Sequence, residues 1–172
     1  MSAVVRLARP DDLAHLERIE NDADALLRDL LAPPTWWPAP TGDERAGEPG
    51  FLLVADAGDA AIAGGDAIAG FVHVLETGGH AHLEQVSVAP AHARRGYGRL
   101  LVEGAKDRAR ALGYARLTLR TFAEVPWDAP FYARLGFVET PPDTAFLRGL
   151  VDHEAELGID ALGRRVQMTA QL

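Results

Sequence analysis

The stretch VAPAHARRGYGRLL, residues 88–101, reads as the end of a strand running through a glycine-rich turn into a helix. Past the turn, Leu101, Ala105, Ala109 and Leu112 recur at helical spacing, with Glu103, Lys106, Asp107 and Arg110 on the opposite side. That is the pattern of an amphipathic helix docked on a sheet. Its first turn falls at Gly96-Tyr97-Gly98, where unpaired N–H groups and the positive end of the helix dipole point outward. Glycines let an anion approach the backbone there, and Arg94, Arg95 and Arg99 bring three guanidinium groups to the same turn. From these residues alone the stretch is either an anion site or an ordinary strand-to-helix connection with a basic rim. No Gly-rich loop ends in Gly-Lys-Ser/Thr, and no full G-x-G-x-x-G opens a βαβ unit with a ribose-binding acid. A nucleotide-binding protein is therefore a poor fit.

That local basic cluster stands in an acidic chain. Lys and Arg total 17 against 25 Asp and Glu, a net charge of −8, which argues against a nucleic-acid partner. The 172 residues suit a single domain, 1–172, and the 48% hydrophobic content is ordinary for a globular protein. Cysteine is absent, so disulfides, thiolate metal sites and cysteine nucleophiles are all excluded. The opening MSAVVRLARPDD has no signal-type apolar run, and no segment approaches the ~20 apolar residues needed to span a bilayer. A cytoplasmic protein without a membrane partner is expected.

Outward from the central stretch, strands and helices alternate. Ala3 to Ala8 reads as a strand, and Pro10 with Asp11 and Asp12 opens a helix bearing Leu13, Leu16, Ile19, Ala23, Leu26, Leu27 and Leu30. Residues 32–50, rich in proline and glycine and holding Trp36 and Trp37, read as a loop. Phe51 to Ala55 and Ala67 to Leu75 form a strand pair around an Ala/Gly-rich connection, followed by a strand from His82 to Val88. Gly113 ends the amphipathic helix, and in the strand Ala115 to Thr121 Leu117 and Leu119 oppose Arg116, Thr118 and Arg120. A short helix at Ala129 to Leu135, a strand from Phe137, a helix near Thr144 to Leu157 and a strand at Val166 to Met168 complete the order. The fold class is α/β, or α+β by some conventions: a mixed, mainly antiparallel sheet of about six to seven strands flanked by helices.

Three segments together resemble the GNAT superfamily, the Gcn5-related N-acetyltransferases, along essentially the full length of the chain. RLARPDDLAHL is similar to the family's first strand and helix, QVSVAPAHARRGYGRLL to its acetyl-CoA pyrophosphate motif, and PFYARLGF to its late helix-to-strand motif. The resemblance implies a twisted sheet whose fourth and fifth strands splay apart, usually at a bulge, so that the cofactor arm pairs with open backbone. Val86, Ser87 and Val88 match those backbone positions, and Arg94, Arg95, Gly96, Tyr97, Gly98 and Arg99 match the pyrophosphate loop. The chain departs from the pattern at Ala93, where Gln or Arg is usual, and at Arg94, where Gly is common. Asp128 stands where relatives often carry Asn against the cofactor arm, and a carboxylate there accepts hydrogen bonds without donating them.

Acetyl transfer to an amine needs a base for the ammonium proton, donors for an oxyanion and an acid for the departing thiolate. Tyr132 in PFYARLGF matches the family tyrosine near the cofactor sulfur and is assigned as general acid. A backbone N–H of the strand near Val86 to Val88 is assigned to the oxyanion. Glu84 and His82 share one strand face by the period-two rule, and both resemble positions where relatives carry a base, often acting through water. Glu84 ranks first and His82 second. His80, His82 and Glu84 also spell H-x-H-x-E, a spacing compatible with zinc, but the acetyltransferase pattern explains these residues and no metal is expected. Trp36, Trp37 and Trp127 are candidate walls for an amine pocket, with loop packing the alternative. The implied function is acetyl-CoA-dependent acetylation of a small-molecule or peptide amine by direct attack in a ternary complex, with a homodimer as an expected assembly. The alternative is a non-catalytic acyl-CoA-binding or sensor module of the same fold.

Overall fold

The computed structural model describes residues 4–58 and 67–172, so Ala3 and most of the Ala/Gly-rich connection lie outside the described residues. Seven strands form one sheet in the order β1-β2-β3-β4-β5-β7-β6. They are β1 (Val4–Leu7), β2 (Gly50–Asp56), β3 (Ile68–Thr77), β4 (His80–Val88), β5 (Arg116–Phe122), β6 (Val138–Glu139) and β7 (Arg165–Gln171). All neighbours pair antiparallel except β4 and β5, which run parallel, so the mixed and mainly antiparallel sheet read from the sequence is the one observed. The helices are α1 (Leu13–Leu31), α2 (Gly42–Gly47), α3 (Tyr97–Ala111), α4 (Ala129–Ala133) and α5 (Ala145–Leu157). No helix among the described residues is long and apolar enough to cross a membrane.

Each sheet face is closed by helices whose apolar stripes face inward. Leu101, Val102, Ala105 and Ala109 of α3 pack with α4 onto Leu53, Val72, Leu83, Leu117 and Leu119. Leu16 and Ile19 of α1 cover the other face against Leu52, Val54 and Phe71. Leu112, read as a core position, is instead 47% exposed, because α3 ends at Ala111 and Leu112 lies at its C-cap, beyond the buried Ala109.

The stretch at residues 32–50, read as loop, contains α2. Thr41 caps it: the Glu44 N–H donates to Thr41 Oγ1 at 3.1 Å, and the Thr41 N–H donates to Glu44 Oε2 at 2.8 Å. This reciprocal capping satisfies donors that a six-residue helix otherwise leaves open. The T-x-x-E signal stood in the sequence, outweighed by the surrounding prolines.

The feature that positions the site is an interruption in the middle of the sheet. On β4, Leu83 pairs with Val74 and Gln85 with His73, leaving Glu84 as the extra residue of a β-bulge. Toward β5, paired residues run only from Ala81 to Leu83 against Leu117 to Leu119. Beyond Leu83 the strands separate, while β5 stays bonded to β7 through Phe122. The expected splay is present, and it starts at the bulge. Gly70 of β3 stands opposite the open segment, where a Cβ would come within 2.4 Å of the Ser87 carbonyl oxygen.

Candidate active site

A cleft of about 1030 Å³ runs from the turn before α3 to the splay between β4 and β5. Its first half is the glycine-rich turn. Arg94 has φ 59°, the left-handed conformation that a glycine adopts without cost, and Gly96 at φ 86° precedes α3. Arginine at the usual glycine position thus keeps the backbone route that glycine would take, at about 1–2 kcal/mol of strain. The turn is anchored from beneath: the buried His92 ring meets the buried Tyr97 ring edge-on at 5.5 Å. Tyr97 therefore serves as a foundation for the turn more than as an exposed contact. By helix geometry the N–H groups of Tyr97, Gly98 and Arg99 have no partner within α3, and Arg94, Arg95 and Arg99 are exposed around them. A Cβ on Gly98 would meet the Phe131 ring at 3.4 Å, so glycine lets α4 close against the start of α3.

The second half is the splay. The β4 edge from Glu84 to Val88 has no paired partner on β5 among the described residues, so backbone groups of Val86 to Val88 open into the cleft. Ser87 is buried, and its Oγ accepts from Gln85 Nε2 at 3.0 Å. Across the gap, Asp128 precedes α4 on the cleft wall, with its carboxylate near Thr121 and the Phe122 N–H of β5. Burial pushes its pKa up.

Tyr132 and Glu84 reach this gap from opposite faces of the sheet. The Tyr132 ring is packed against Phe131 at 5.1 Å and Phe137 at 5.8 Å and lines the cleft. Burial, reinforced by the charge of Asp128, raises the phenol's pKa, so the proton stays on Tyr132 across the physiological range. The Glu84 carboxylate is open to solvent at the cleft wall yet surrounded by protein, and burial raises its pKa against the pull of Arg45. His82 shares the α1 and α5 side but lies outside the cleft lining. It is 3% exposed, its Nδ1 lies 2.8 Å from Thr118 Oγ1, and its ring is edge-on to Phe146. Burial lowers its pKa to about 4, leaving a neutral and weakly basic ring. His80 stacks on the same Phe146 at 5.0 Å, and among the described residues no three metal-binding side chains are grouped.

Two charged clusters border the splay that short-range sequence patterns do not reveal. In the first, Arg45 of α2 binds Glu20 of α1, and its Nη1 lies 3.1 Å from His73 Nδ1 on β3, opposite the bulge. Burial pushes Glu20 up to about 7 despite Arg45, and raises nearby Asp24, on the cleft wall, to about 6. In the second, Arg120 of β5 and Arg165 of β7 share Glu154 of α5, at 2.8 and 2.7 Å. The members of each cluster are 11 or more positions apart, so only the tertiary fold assembles them. Trp127 lines the cleft and is 40% exposed. Trp36 and Trp37 pack on each other at 6.1 Å and do not border it.

Comparison with known proteins gives the class. The model of the acetyltransferase (GNAT) family matches residues 13–137, and the chain belongs to that family. Among similar solved structures is the ribosomal-protein-S18-alanine N-acetyltransferase of Escherichia coli. It has 21% identity over 99% of this chain and 94% of that one, with a TM-score of 0.67. The N-acetylglutamate synthase of Neisseria gonorrhoeae, complexed with coenzyme A and N-acetyl-glutamate, has 15% identity over 100% of this chain and 35% of that one, with a TM-score of 0.69. The PaiA N-acetyltransferase of Thermoplasma acidophilum, in complex with coenzyme A, has 14% identity over 100% of both chains, with a TM-score of 0.64. At these identities the likeness is one of fold.

Proposed function

We propose that this chain is an N-acetyltransferase that moves the acetyl group of acetyl-CoA to a primary amine of a small molecule or peptide by direct attack in a ternary complex. The observation that carries this reading is the loss of β4–β5 pairing at the Glu84 bulge, in one cleft with the unpaired N–H groups that open α3. An extended arm can add to the free edge of Val86 to Val88 while a pyrophosphate lies on the turn from Arg94 to Arg99. The coenzyme A complexes of the Neisseria and Thermoplasma proteins support this assignment.

The residues at the splay supply the remaining chemistry. Glu84 accepts a proton from the ammonium, directly or through water, freeing the nitrogen lone pair to attack the thioester carbonyl carbon. As the C–N bond forms, a backbone N–H of the open β4 edge stabilises the oxyanion. The C–S bond then breaks as Tyr132 donates its proton to the departing sulfur, and the second proton of the attacking nitrogen, released as the amide forms, returns Tyr132 to the neutral phenol. His82, held off the cleft by Thr118 and Phe146, supports the strand and leaves the base role to Glu84.

Thiol release from acetyl-CoA, measured with a panel of amines, tests the assignment. Turnover with at least one amine is expected, with kcat reduced about 100-fold in Tyr132→Phe. Tight coenzyme A binding with no turnover of any amine would favour the non-catalytic module instead.

A further inference from the structure

We infer that the acceptor carries a carboxylate beside its amine, bound by the paired guanidinium groups of Arg120 and Arg165. This inference rests on the reading of the cleft as an acetyltransferase site and specifies the chemical class of its acceptor.

The charge balance of the second cluster motivates it. Two guanidinium groups share one carboxylate: Glu154 Oε2 accepts from Arg120 at 2.8 Å, and Oε1 accepts from Arg165 at 2.7 Å. In direct contact two cations thus face one anion, while Asp128 and Glu84 act on Arg165 from beyond ion-pair distance across the same cleft. Both arginine side chains are largely enclosed, at 8% and 15% exposure, and the Nε atoms of both are buried without a partner among the described residues. Both residues nevertheless line the cleft. An enclosed guanidinium pair that shares a single directly bonded carboxylate is costly unless a further anion comes within contact of it. Arg165 is further fixed by the Phe122 ring, 4.5 Å beneath its guanidinium carbon, which holds the planar donor fork in place for a carboxylate.

The opposite wall has the complementary charge. Glu84 and Asp24 lie on the cleft at the bulge and on α1, where an ammonium group is matched. Negative charge on one side and positive on the other suit a zwitterion of amino-acid type. A polyamine leaves the arginine pair unmet, and a peptide N-terminus presents a neutral amide in place of the carboxylate. Glu154 and Arg165 also lie beyond Phe137, where the family match ends, whereas the glycine-rich turn lies inside it. The glycine-rich turn and Arg120 thus belong to the shared part of the fold, and Glu154 and Arg165 to the remainder.

Matched acceptors test this: a set of amino acids against their carboxamides and their decarboxylated amines. The expected result is a kcat/KM for at least one amino acid about tenfold or more above its carboxamide. That ratio should collapse towards one in Arg165→Gln and be partly restored in Arg165→Lys. Equal or faster acetylation of the carboxylate-free partners would overturn the inference. So would a ratio unchanged in folded Arg165→Gln, the outcome expected if the cluster only holds α5 to the sheet. Calorimetry on the coenzyme A-loaded protein keeps the two proposals separate. Selective binding of N-acetyl amino acids over their carboxamides, lost in Arg165→Gln, supports the carboxylate subsite even if no amine is turned over. Absence of that selectivity overturns it whatever the turnover.

Discussion

Glu84 is chemically distinctive because one backbone irregularity gives it three properties at once. The bulge frees it from register, ends the β4–β5 ladder beside it and turns its carboxylate into a cleft that raises its pKa. A base must be deprotonated to act, so kcat/KM should fall as pH drops through that raised value, above the ordinary glutamate range. Glu84→Gln should lower the rate about 100-fold and flatten this acid limb in a pH–rate profile. Arg94 makes a different trade. Arg94→Gly should raise stability by about 1 kcal/mol in denaturant unfolding, by removing the left-handed strain. If the turn holds the pyrophosphate as proposed, the same change should raise the KM for acetyl-CoA several-fold, because a guanidinium leaves it. Arg94 and Ala93 were legible in sequence as departures from a pattern. That Arg94 preserves the glycine route required its φ angle.

Among the elements, α2 has the largest effect for its length. Its six residues carry Arg45 to Glu20 and His73, beneath the bulge side of the sheet. Thr41→Ala removes the half of the reciprocal cap in which the Thr41 hydroxyl accepts from the Glu44 N–H, worth about 1 kcal/mol by itself, and leaves the backbone N–H to Glu44 in place. The observed loss of stability should exceed that figure, because loosening α2 also withdraws Arg45 from a buried carboxylate. Thermal unfolding of Thr41→Ala beside Thr41→Ser, which keeps the hydroxyl, measures the difference. The long elements α1 and α3 were readable from their apolar periodicity, since a helix that covers a sheet must repeat its buried stripe over several turns. α2 is too short for such a stripe, and its capping residues were its only local sign. The last strand was read from Val166 to Met168 but runs Arg165–Gln171, because pairing with β5 extends it past its most apolar residues.

Across the whole molecule, buried histidines couple folding to pH. His73 and His82 both have pKa values lowered to about 4, chiefly by burial, against an unfolded value near 6.5. Between those values the unfolded chain binds more protons than the folded one, so stability is fully present above about pH 6.5 and falls as pH drops towards 4. His82 alone is expected to account for about 3 kcal/mol over that window. A Tm series from pH 7 to 4 should show this decline, and it should be shallower in His82→Gln. The sequence by itself determined the fold class, the order of the strands and long helices and the glycine-rich turn before α3, because these depend on residues within a few positions of one another. The tertiary structure decided which carboxylate faces the cleft, that His82 is walled off from it, and that Arg120, Glu154 and Arg165 meet. Those outcomes follow from a one-residue bulge and from long-range packing, which place side chains from separate strands and helices around a gap that no local periodicity encodes.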